Sequence, residues 1–370
     1  MGAKTEISWT DATWSPLRVR VRDDASAIAT AKGYASLTQI AEKMRGRVGP
    51  HCEHVSHGCD NCYSGTNNGR CLPTNGTGLP FDRRSRDLIE AFVDEKILLQ
   101  PLKWRTPKKI FVENQSDLFG EWNTDEMIDH VFAVMALCPQ HTFQVLTKRP
   151  ERMLKYLSNA VGIRERLSEL LLDSRFLADG VWGDTRRMVL GNPSRAVTAD
   201  GLRGGWRSPL PSHVWLGVSC EDQKTADARI PLLLQTPAAI RFVSYEPALG
   251  PVDFFSVPQC MDDNEPTREQ VDGPLGIRYI RHGAPGLDWI IVGGESGPGA
   301  RPCDIEWARQ TVEQCKESGT ACFVKQLGAN PFCNIEAHTI SINLKDPKGG
   351  NWSEWPEDLR VREFPNGGIK

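Results

Sequence analysis

The sequence predicts an α/β fold built on a parallel sheet, and two observations carry this prediction. Short β-branched or aromatic runs, each closed by a polar or glycine-rich stretch, are typical of buried parallel strands; they span residues 110–113, 142–146, 214–218, 240–244, 289–292 and 322–325. Helix-like segments lie between these runs, at residues 87–99, 124–137, 150–157, 222–234 and 305–318. This alternation indicates right-handed βαβ units and a parallel sheet that is either open or rolled into a (β/α) barrel.

Three of the predicted helices have a capping residue at their start. The side chains of Asp87, Thr124 and Asp304 can accept hydrogen bonds from the first backbone amides of a helix. In a parallel fold of this kind, function lies at the carboxyl ends of the strands. The residues that follow each predicted strand are therefore the first candidates for a site.

Three segments interrupt the alternation and are predicted to be insertions on one scaffold. They cover residues 17–50, 158–212 and 256–286. The tail, residues 343–370, has no clear period and is expected to pack across the body. Because the insertions explain the length, we predict one α/β domain over residues 1–342 rather than two domains.

Composition limits the classes of function. The 370 residues include 39% hydrophobic residues, and 44 Lys plus Arg nearly balance 47 Asp plus Glu, for a net charge of −3. This balance argues against nucleic-acid binding through bulk charge, although local basic clusters remain candidates for phosphate contact. They are Arg18, Arg20 and Arg22; Arg83, Arg84 and Arg86; and Lys103, Arg105, Lys108 and Lys109 with Trp104 among them. A solvated charged face is the alternative.

No apolar run approaches 18 residues and no leader pattern is present, so we expect no membrane association and a cytoplasmic protein.

Eleven cysteines are the unusual feature of the composition. Their uneven spacing does not suit a disulfide framework. Cys52, Cys59, Cys62 and Cys71 fall in the run HCEHVSHGCDNCYSGTNNGRC. The other seven are predicted to be buried apolar groups or incidental surface thiols; they are Cys138, Cys220, Cys260, Cys303, Cys315, Cys322 and Cys333.

The first three cysteines of this run, at spacings of seven and three, can converge on one soft metal centre. If only these three bind a [4Fe–4S] cluster, its fourth iron stays open for a ligand. If Cys71 or a histidine completes the set, a closed tetrahedral zinc site results; the candidate histidines are His51, His54 and His57. Spacing alone favours zinc.

Polar residues directly follow the predicted strands. They are Asn114, Ser116 and Asp117; Thr147, Lys148 and Arg149; Ser219 and Glu221; Tyr245 and Glu246; Glu295 and Ser296; and Lys325 and Gln326. Such a ring suits a cofactor that carries amino, carboxylate and ribose groups, with Glu246 and Glu295 as acceptors. Lys148, Arg149 and Lys325 can hold a carboxylate or phosphate. The alternative is that these residues pair with one another as structural salt bridges.

The run Gly293-Gly294-Glu295-Ser296-Gly297 is not a phosphate loop by its spacing. It has neither the G-x-G-x-x-G nor the P-loop arrangement. We expect its glycines to allow a close backbone approach or a tight turn instead.

Six motifs together resemble a known family. They are TEISWTDATWSP, GCDNCY, FVENQSDLF, FQVLTKRPERM, VWLGVSCEDQKTADARIPLLLQTPAAIRFVSYEPALGPVD and DWIIVGGESGPGARPC. Over residues 5–328, in this order, they resemble the phage-encoded radical-SAM-like proteins. The resemblance implies a barrel or partial barrel of radical SAM type. It also implies that Cys52, Cys59 and Cys62 hold a [4Fe–4S] cluster with S-adenosylmethionine (SAM) on the open iron, and that Tyr63 packs near the cofactor.

Within that family, a subset in phages with hypermodified DNA is associated with thymidine chemistry. A glycyl group attached through nitrogen to the C5 methylene of thymidine becomes attached through its α-carbon, a modification that suits evasion of host restriction. A deoxyadenosyl radical can abstract the unactivated α-hydrogen, which acid–base side chains cannot. The resemblance thus implies a DNA or modified-nucleotide substrate and an external electron donor.

Residue roles follow from this hypothesis. Glu246 and Lys325 are the predicted catalytic residues, and the predicted cofactor-binding residues are Tyr63, Asn114, Ser116, Asp117, Lys148, Glu246 and Glu295. Two rival hypotheses remain. One is a radical reaction on another nucleotide or on a DNA lesion, and the other is a zinc-binding nucleic-acid-binding protein without catalysis.

Overall fold

The structure is a computed structural model that describes residues 5–70, 76–159, 163, 166–167, 210–257, 286–335 and 338–365. Its strands, in chain order, are β1 (Ala12–Trp14), β2 (Leu17–Val21), β3 (Val48–Gly49), β4 (Ile89–Val93), β5 (Lys109–Val112), β6 (Thr142–Thr147), β7 (Val214–Cys220), β8 (Arg241–Tyr245), β9 (Trp289–Gly293), β10 (Cys303–Asp304), β11 (Ala321–Gln326), β12 (Pro331–Ile335) and β13 (His338–Ser341). Its α-helices are α1 (Ala25–Ala31), α2 (Ala35–Lys43), α3 (Tyr63–Gly69), α4 (Arg83–Arg86), α5 (Glu95–Leu98), α6 (Asp125–Ala136), α7 (Pro150–Ser158), α8 (Gln223–Gln235) and α9 (Ile305–Ser318).

The chain divides into two compact units. The first unit comprises residues 1–6, 10–145 and 159–214, and the second comprises residues 7–9, 146–158 and 215–370. Each unit has its own parallel strands and flanking helices, so the predicted α/β class is confirmed.

In the first unit, β5 lies between β1 and β6 and is parallel to both. Ala12 pairs with Ile110, and Lys109 pairs with Thr142. The predicted strands 110–113 and 142–146 are confirmed within a residue or two at each end. Ile110, Val112, Phe143 and Val145 are buried. The predicted helix 124–137 is also confirmed as α6, which begins where the Thr124 side chain accepts from the backbone N–H of Met127.

Part of the first predicted insertion forms a small antiparallel sheet in the order β3-β2-β4. Leu17, Val19 and Val21 alternate with arginines along β2 and are buried. Val19 and Val21 pack with the apolar faces of α1 and α2 in a core that Trp122 also joins. The local alternation of valine and arginine therefore marks a half-buried strand.

The predicted helix 87–99 is wrong. Residues Ile89–Val93 form strand β4, paired with β2 from Leu17↔Val93 to Val21↔Ile89, and only Glu95–Leu98 is helical. This cross-strand pairing outweighs the helical pattern over residues 89–93. Asp87 is not an N-cap: its carboxylate pairs with Lys32 at 2.8 Å, while Asp94 caps α5.

In the second unit, the parallel strands follow the order β7-β8-β9-β11. They confirm the predicted strands at 214–218, 240–244, 289–292 and 322–325 within two residues. Trp289 is fully buried, and its ring contacts those of Trp9, Trp215 and Phe242 within 6.1 Å between centroids. Aromatic burial of this kind supplies much of the apolar core.

The helices of the second unit begin at clear caps. Asp222 and Thr225 form a capping box at α8, and the Asp304 carboxylate accepts from the N–H of Glu306 at α9. Helix α9 ends at Gly319, which has a φ of 73°. The predicted helices 150–157, 222–234 and 305–318 are thereby confirmed as α7, α8 and α9.

The tail runs along β11. Val324 N–H donates to Val361 O at 2.9 Å, and Glu363 N–H donates to Cys322 O at 2.8 Å. Trp355 is buried. β10, β12 and β13 form a separate three-stranded sheet. Most of the predicted insertions 158–212 and 256–286 lies outside the described residues.

No helix in the described part of the chain has the length and apolarity needed to cross a membrane.

Candidate functional site

The cysteine segment, residues 52–62, lies in the first unit and is mostly loop. Cys59 ends a single 3₁₀ turn, His57–Cys59, and Cys62 is the N-cap residue of α3. Backbone bonds of 2.8 Å from Cys59 N–H to Ser56 O and 3.2 Å from Cys62 N–H to Cys59 O form the successive turns. Cys52, Cys59 and Cys62 form no disulfide, and each residue is partly exposed. The thiol of Cys52 lies 3.8 Å from Glu53 O.

Both ends of the cysteine segment are fixed to the turn that follows β5. At the far end, the Tyr63 hydroxyl donates to Asn114 O, and Ser64 Oγ donates to Gln115 O at 2.6 Å. At the near end, Ser116 Oγ donates to His51 O at 2.7 Å. The turn 113–116 thus holds the cysteine segment at the carboxyl end of a parallel strand, where βα proteins place their sites.

The residue before the segment is also held firmly. The buried His51 ring contacts Trp122 edge-on at 4.7 Å and lies 3.6 Å from the carboxylate of Glu53. Arg86 donates to both oxygens of Glu53 at 2.7 and 2.6 Å. Burial alone would raise the pKa of Glu53, but its contacts with His51 and Arg86 outweigh burial and lower that pKa to about 2. The contacts of His51 and Glu53 therefore hold the chain on both sides of Cys52.

The environment of Tyr63, the residue after Cys62, shifts the pKa of its hydroxyl group. Desolvation raises the pKa of the Tyr63 hydroxyl, and the charges of the Cys62 and Cys52 thiols raise it further. Tyr63 is 50% exposed, and its hydroxyl donates to the carbonyl oxygen of Asn114. The hydroxyl stays protonated and remains a hydrogen-bond donor near neutral pH.

The donor set suits a soft metal centre. Three uncrosslinked thiols on one segment are the ligands that iron–sulfur clusters and zinc prefer. Within the described residues, no three His, Cys, Asp or Glu side chains are grouped closely enough to hold an ion as they stand. Binding of one metal centre by these three cysteines would require their thiols to move closer together. Cys71, the proposed fourth ligand, lies outside the described residues.

Asp117, a predicted cofactor ligand, faces inward. Its side chain is buried and its Oδ1 accepts from the N–H of Phe119 at 3.0 Å. Asn114 and Ser116 remain partly exposed beside the cysteine segment, where Ser15 Oγ also donates to Asn114 Oδ1 at 3.2 Å. The structure thus brings Tyr63, Asn114 and Ser116 together, while Asp117 stabilises the turn that follows.

In the second unit, Lys148 belongs to a buried charge cluster. Its ammonium contacts the carboxylate of Glu221, which is wholly buried and also lies 3.2 Å from the guanidinium of Arg229. Arg229 in turn donates to Ser219 O at 2.7 Å. Arg149, next in the chain, is buried. The carboxylate of Glu221 is therefore satisfied by two cations.

Glu246 and Lys325, the predicted catalytic residues, form an ion pair of 2.9 Å at the carboxyl ends of β8 and β11. Ser244 Oγ donates to the second oxygen of Glu246 at 3.1 Å. Both side chains keep some exposure, 11% for Glu246 and 24% for Lys325. This pair is close to solvent, unlike Glu221.

The glycines at the end of β9 allow close packing. A Cβ on Gly293 would lie 2.7 Å from the Glu246 carboxylate, and one on Gly294 would lie 2.4 Å from Leu327 O. The next residue, Glu295, accepts from the Arg301 guanidinium at 2.6 and 3.0 Å and from the Arg301 backbone N–H at 2.9 Å. The expectation of a close backbone approach is confirmed, and Glu295 is already engaged by Arg301.

Several of the basic residues predicted to contact phosphate are paired within the first unit. The ion pairs are Arg22 with Asp24, Arg84 with Asp82, Arg86 with Glu53, and Lys109 with Asp11. The guanidinium of Arg20 lies 5.2 Å from the ring centroid of Phe92. Nucleic-acid contact by these residues stays a prediction.

Four residues that hold the candidate site residues in place were not predicted from the sequence. Glu113, Arg229 and Arg301 lie within the six motifs, but no role was predicted for them or for Ser64. Ser64 bonds to Gln115, which is distant in sequence, and Glu113 acts through its positive φ. Arg229 and Arg301 pair with Glu221 and Glu295, eight and six residues earlier in the chain. Only their position near a strand end or a helix start gives a signal.

An α/β protein with parallel strands and a three-thiol segment anchored at a strand end is the class that these observations define. Residues 46–356 match a family described as a protein of unknown function (DUF5131), and the chain belongs to that family. Searches of the curated proteins and of the solved structures gave no match.

Proposed function

We propose that the chain is a radical SAM iron–sulfur enzyme in which Cys52, Cys59 and Cys62 hold a [4Fe–4S] cluster. The observation that supports this most is the anchoring of a segment with three partly exposed cysteines, none of them in a disulfide, at the carboxyl end of β5. The six-motif resemblance adds to it and favours iron–sulfur over zinc. A (β/α) barrel of radical SAM type is part of the proposal.

When bound, such a cluster with SAM supplies, on one-electron reduction by an external donor, a deoxyadenosyl radical that abstracts an unactivated hydrogen. The residues of this chain would bind the cluster and orient the cofactor. The three thiols provide the ligands and leave one iron open. The Tyr63 hydroxyl and the Asn114 side chain present polar atoms next to the thiols, where they can orient a bound cofactor.

The second unit offers a proton-handling pair. Glu246 and Lys325 lie 2.9 Å apart and are partly exposed, so one can hold a substrate carboxylate or ammonium while the other donates or accepts a proton. We assign them the catalytic roles. Lys148 and Glu295 are proposed as polar cofactor contacts, each of which must exchange part of its present pairing, with Glu221 and Arg301, for the ligand.

The proposed substrate is glycyl-modified thymidine in phage DNA, within the cytoplasm of a host cell. The α-hydrogen of the glycyl unit is removed, the bond from the C5 methylene moves from nitrogen to the α-carbon, and a hydrogen atom is returned. Atoms and electrons balance, so substrate and product are isomers of equal mass. A base inside a duplex must be flipped out to be reached.

The cluster is tested by anaerobic reconstitution. The purified protein is expected to be brown, to carry about four irons per chain, and to release 5′-deoxyadenosine from SAM with dithionite. Cys59→Ala should lose the cluster, whereas Cys333→Ala, a partly exposed cysteine of β12, should keep it. Equal loss in Cys71→Ala would contradict the open-iron arrangement. A colourless protein with one zinc would replace the enzyme by a zinc-binding nucleic-acid-binding protein.

The substrate is tested on phage DNA made with and without this gene. Digestion to nucleosides and mass spectrometry should show two isomers that exchange abundance, distinguished by retention time or fragmentation because their masses are equal. Identical nucleoside profiles would exclude the thymidine substrate and leave another nucleotide or a DNA lesion for the same radical chemistry.

A further inference from the structure

Glu113 is the first residue after β5 and the first of the turn that holds the cysteine segment. Its φ is 53°, and among the described residues it is the one non-glycine residue with a positive φ. This left-handed conformation is unfavourable for any residue with a Cβ, and more so for a long side chain than for asparagine or aspartate. Other contacts must therefore hold Glu113 in place.

Three hydrogen bonds hold it. Glu113 Oε1 accepts from the N–H of Leu17 at 2.8 Å, and the Glu113 N–H donates to Trp14 O at 2.9 Å. The Glu113 carbonyl accepts from Ser116 N–H at 3.0 Å, which closes the turn. The side chain is 1% exposed, and no donor among the described residues bonds to its Oε2. One residue thus ties the end of β1, the start of β2 and the turn together.

The direction of the turn decides what faces the cysteine segment. The two residues after Glu113 present their carbonyl groups to Tyr63 and Ser64, and the third presents its hydroxyl to His51 O. If residue 113 relaxed to a negative φ, these three groups would point elsewhere. Both ends of the cysteine segment would then lose their anchors.

We propose that Glu113 is a positioning residue: its buried carboxyl locks the turn 113–116 and thereby keeps the three thiols poised to close around one metal centre. The inference rests on the proposed metal-binding role of Cys52, Cys59 and Cys62 and adds a residue that no motif assigns. A segment anchored at both ends loses less conformational freedom when it binds than a free loop does.

The test is a Co²⁺ titration of the metal-free, reduced full-length protein, followed by thiolate-to-cobalt charge-transfer absorption. Glu113→Ala removes the acceptor for Leu17 N–H and should weaken Co²⁺ binding by about tenfold or more. Glu113→Gln keeps an acceptor oxygen and should stay within about threefold of the native protein. Glu90→Ala, an exposed carboxylate on β4, is the matched control and should bind like the native protein.

Hydrogen exchange of residues 51–64 in the same metal-free proteins gives a second, metal-independent measurement. Exchange should be faster in Glu113→Ala and unchanged in Glu113→Gln. Native-like binding and exchange in Glu113→Ala would overturn the inference, and so would equal weakening in Glu113→Gln and Glu113→Ala, since the acceptor bond would then not be the cause.

The two proposals fail in different ways. If the native protein does not bind Co²⁺, the metal-binding role fails, while hydrogen exchange still decides whether Glu113 anchors the segment. If Glu113→Ala does not fold, Ser116→Ala removes only the bond to His51 O and should weaken Co²⁺ binding and speed exchange at residues 51–56. No effect of Ser116→Ala on either measurement would overturn the inference.

Discussion

The first unit bonds both ends of its cysteine segment to the turn 113–116 through hydroxyl groups and backbone carbonyls, with one ion pair between Glu53 and Arg86 beside them. The second unit holds its strand-end side chains mainly with charge. Tyr63, Ser64 and Ser116 anchor the cysteines without engaging their thiols. In contrast, Glu221 forms ion pairs with Lys148 and Arg229, and Glu295 forms an ion pair with Arg301. The difference indicates that the contacts that anchor the first region leave its three thiols without a disulfide, while most charges of the second region stabilise the fold.

The largest expected effect is therefore on stability in the second unit. Glu221→Ala leaves the ammonium of Lys148 and the guanidinium of Arg229 without their buried counter-ion. We expect the free energy of unfolding to fall by about 3–5 kcal/mol, the range for breaking a buried pair from one side. Urea denaturation measures it as a lower midpoint with an unchanged slope.

Glu306→Ala is the control for Glu221→Ala. Its carboxylate is half exposed and lies 3.6 Å from Arg309 on α9, so its loss should cost less than about 1 kcal/mol. An equal, small effect of both substitutions would mean that the charges of the second unit are no more structural than a surface pair, and the contrast between the two regions would fail.

The next effect concerns pH and Glu113 in the first unit. Burial raises the pKa of Glu113 to about 8, against the N–H of Leu17 and the charge of Arg18, with the charge of Asp117 adding to the rise. The unfolded chain releases this proton near its ordinary pKa of 4.5. Between these values the folded protein binds more protons, so its stability falls as pH rises, by at most about 1.4 kcal/mol per pH unit.

Glu113→Gln cannot titrate and should flatten this part of the pH dependence. The urea midpoint of the native protein should fall from pH 5 to 8 relative to that of the Glu113→Gln variant. The buried amide adds only a constant offset, so the difference between the two midpoints should change with pH. Parallel pH profiles for the two proteins would show that the carboxyl of Glu113 titrates at an ordinary pKa, and that its burial is not maintained in solution.

A smaller loss of stability is expected when a side chain is added to Gly294, the glycine that follows β9. A Cβ at residue 294 would lie 2.4 Å from Leu327 O, a backbone atom that cannot rotate away. Gly294→Ala should cost about 1–3 kcal/mol in unfolding free energy through overpacking. Gly69→Ala, where a Cβ meets nothing within 4 Å, should be neutral or slightly stabilising. Comparable midpoints for the two variants would show that the backbone near Gly294 is free to shift.

These comparisons also show how far sequence reasoning extends. Buried runs such as Val214–Cys220 are apolar over their whole length, so the strands could be predicted from local composition. The strand Ile89–Val93 could not, because it depends on pairing with β2, about 70 residues away in sequence. Asn114 and Ser116 follow a strand in the sequence, and the structure places both in the turn that bonds to the ends of the cysteine segment. Their predicted cofactor contact stays a prediction.

The function of those two residues, however, depends on geometry that composition does not contain. Asn114 accepts from Tyr63 through its backbone carbonyl, which every residue type carries, although its side-chain Nδ2 also donates to the Tyr63 hydroxyl at 3.2 Å. The unusual φ of Glu113 likewise has no sequence pattern, since glycine is the residue expected there. The pairing of Lys148 and Glu221 was open as a salt bridge, but only the fold shows that Arg229 joins them.

The last prediction concerns the ion pair of Lys325 and Glu246 in the second unit. Lys325 and Glu246 keep 24% and 11% exposure, whereas Glu221 keeps 0%, so Lys325→Met should lower the free energy of unfolding by less than Glu221→Ala does. If the pair handles a proton in the proposed reaction, the modified nucleoside formed in infected cells should nevertheless fall by about a hundredfold or more. Lys345→Met, an exposed lysine of the tail, should leave both quantities unchanged. A Lys325→Met protein that retains the native nucleoside profile would place this pair with the structural charges of the second unit, and the reactive groups of the molecule would then be confined to the first.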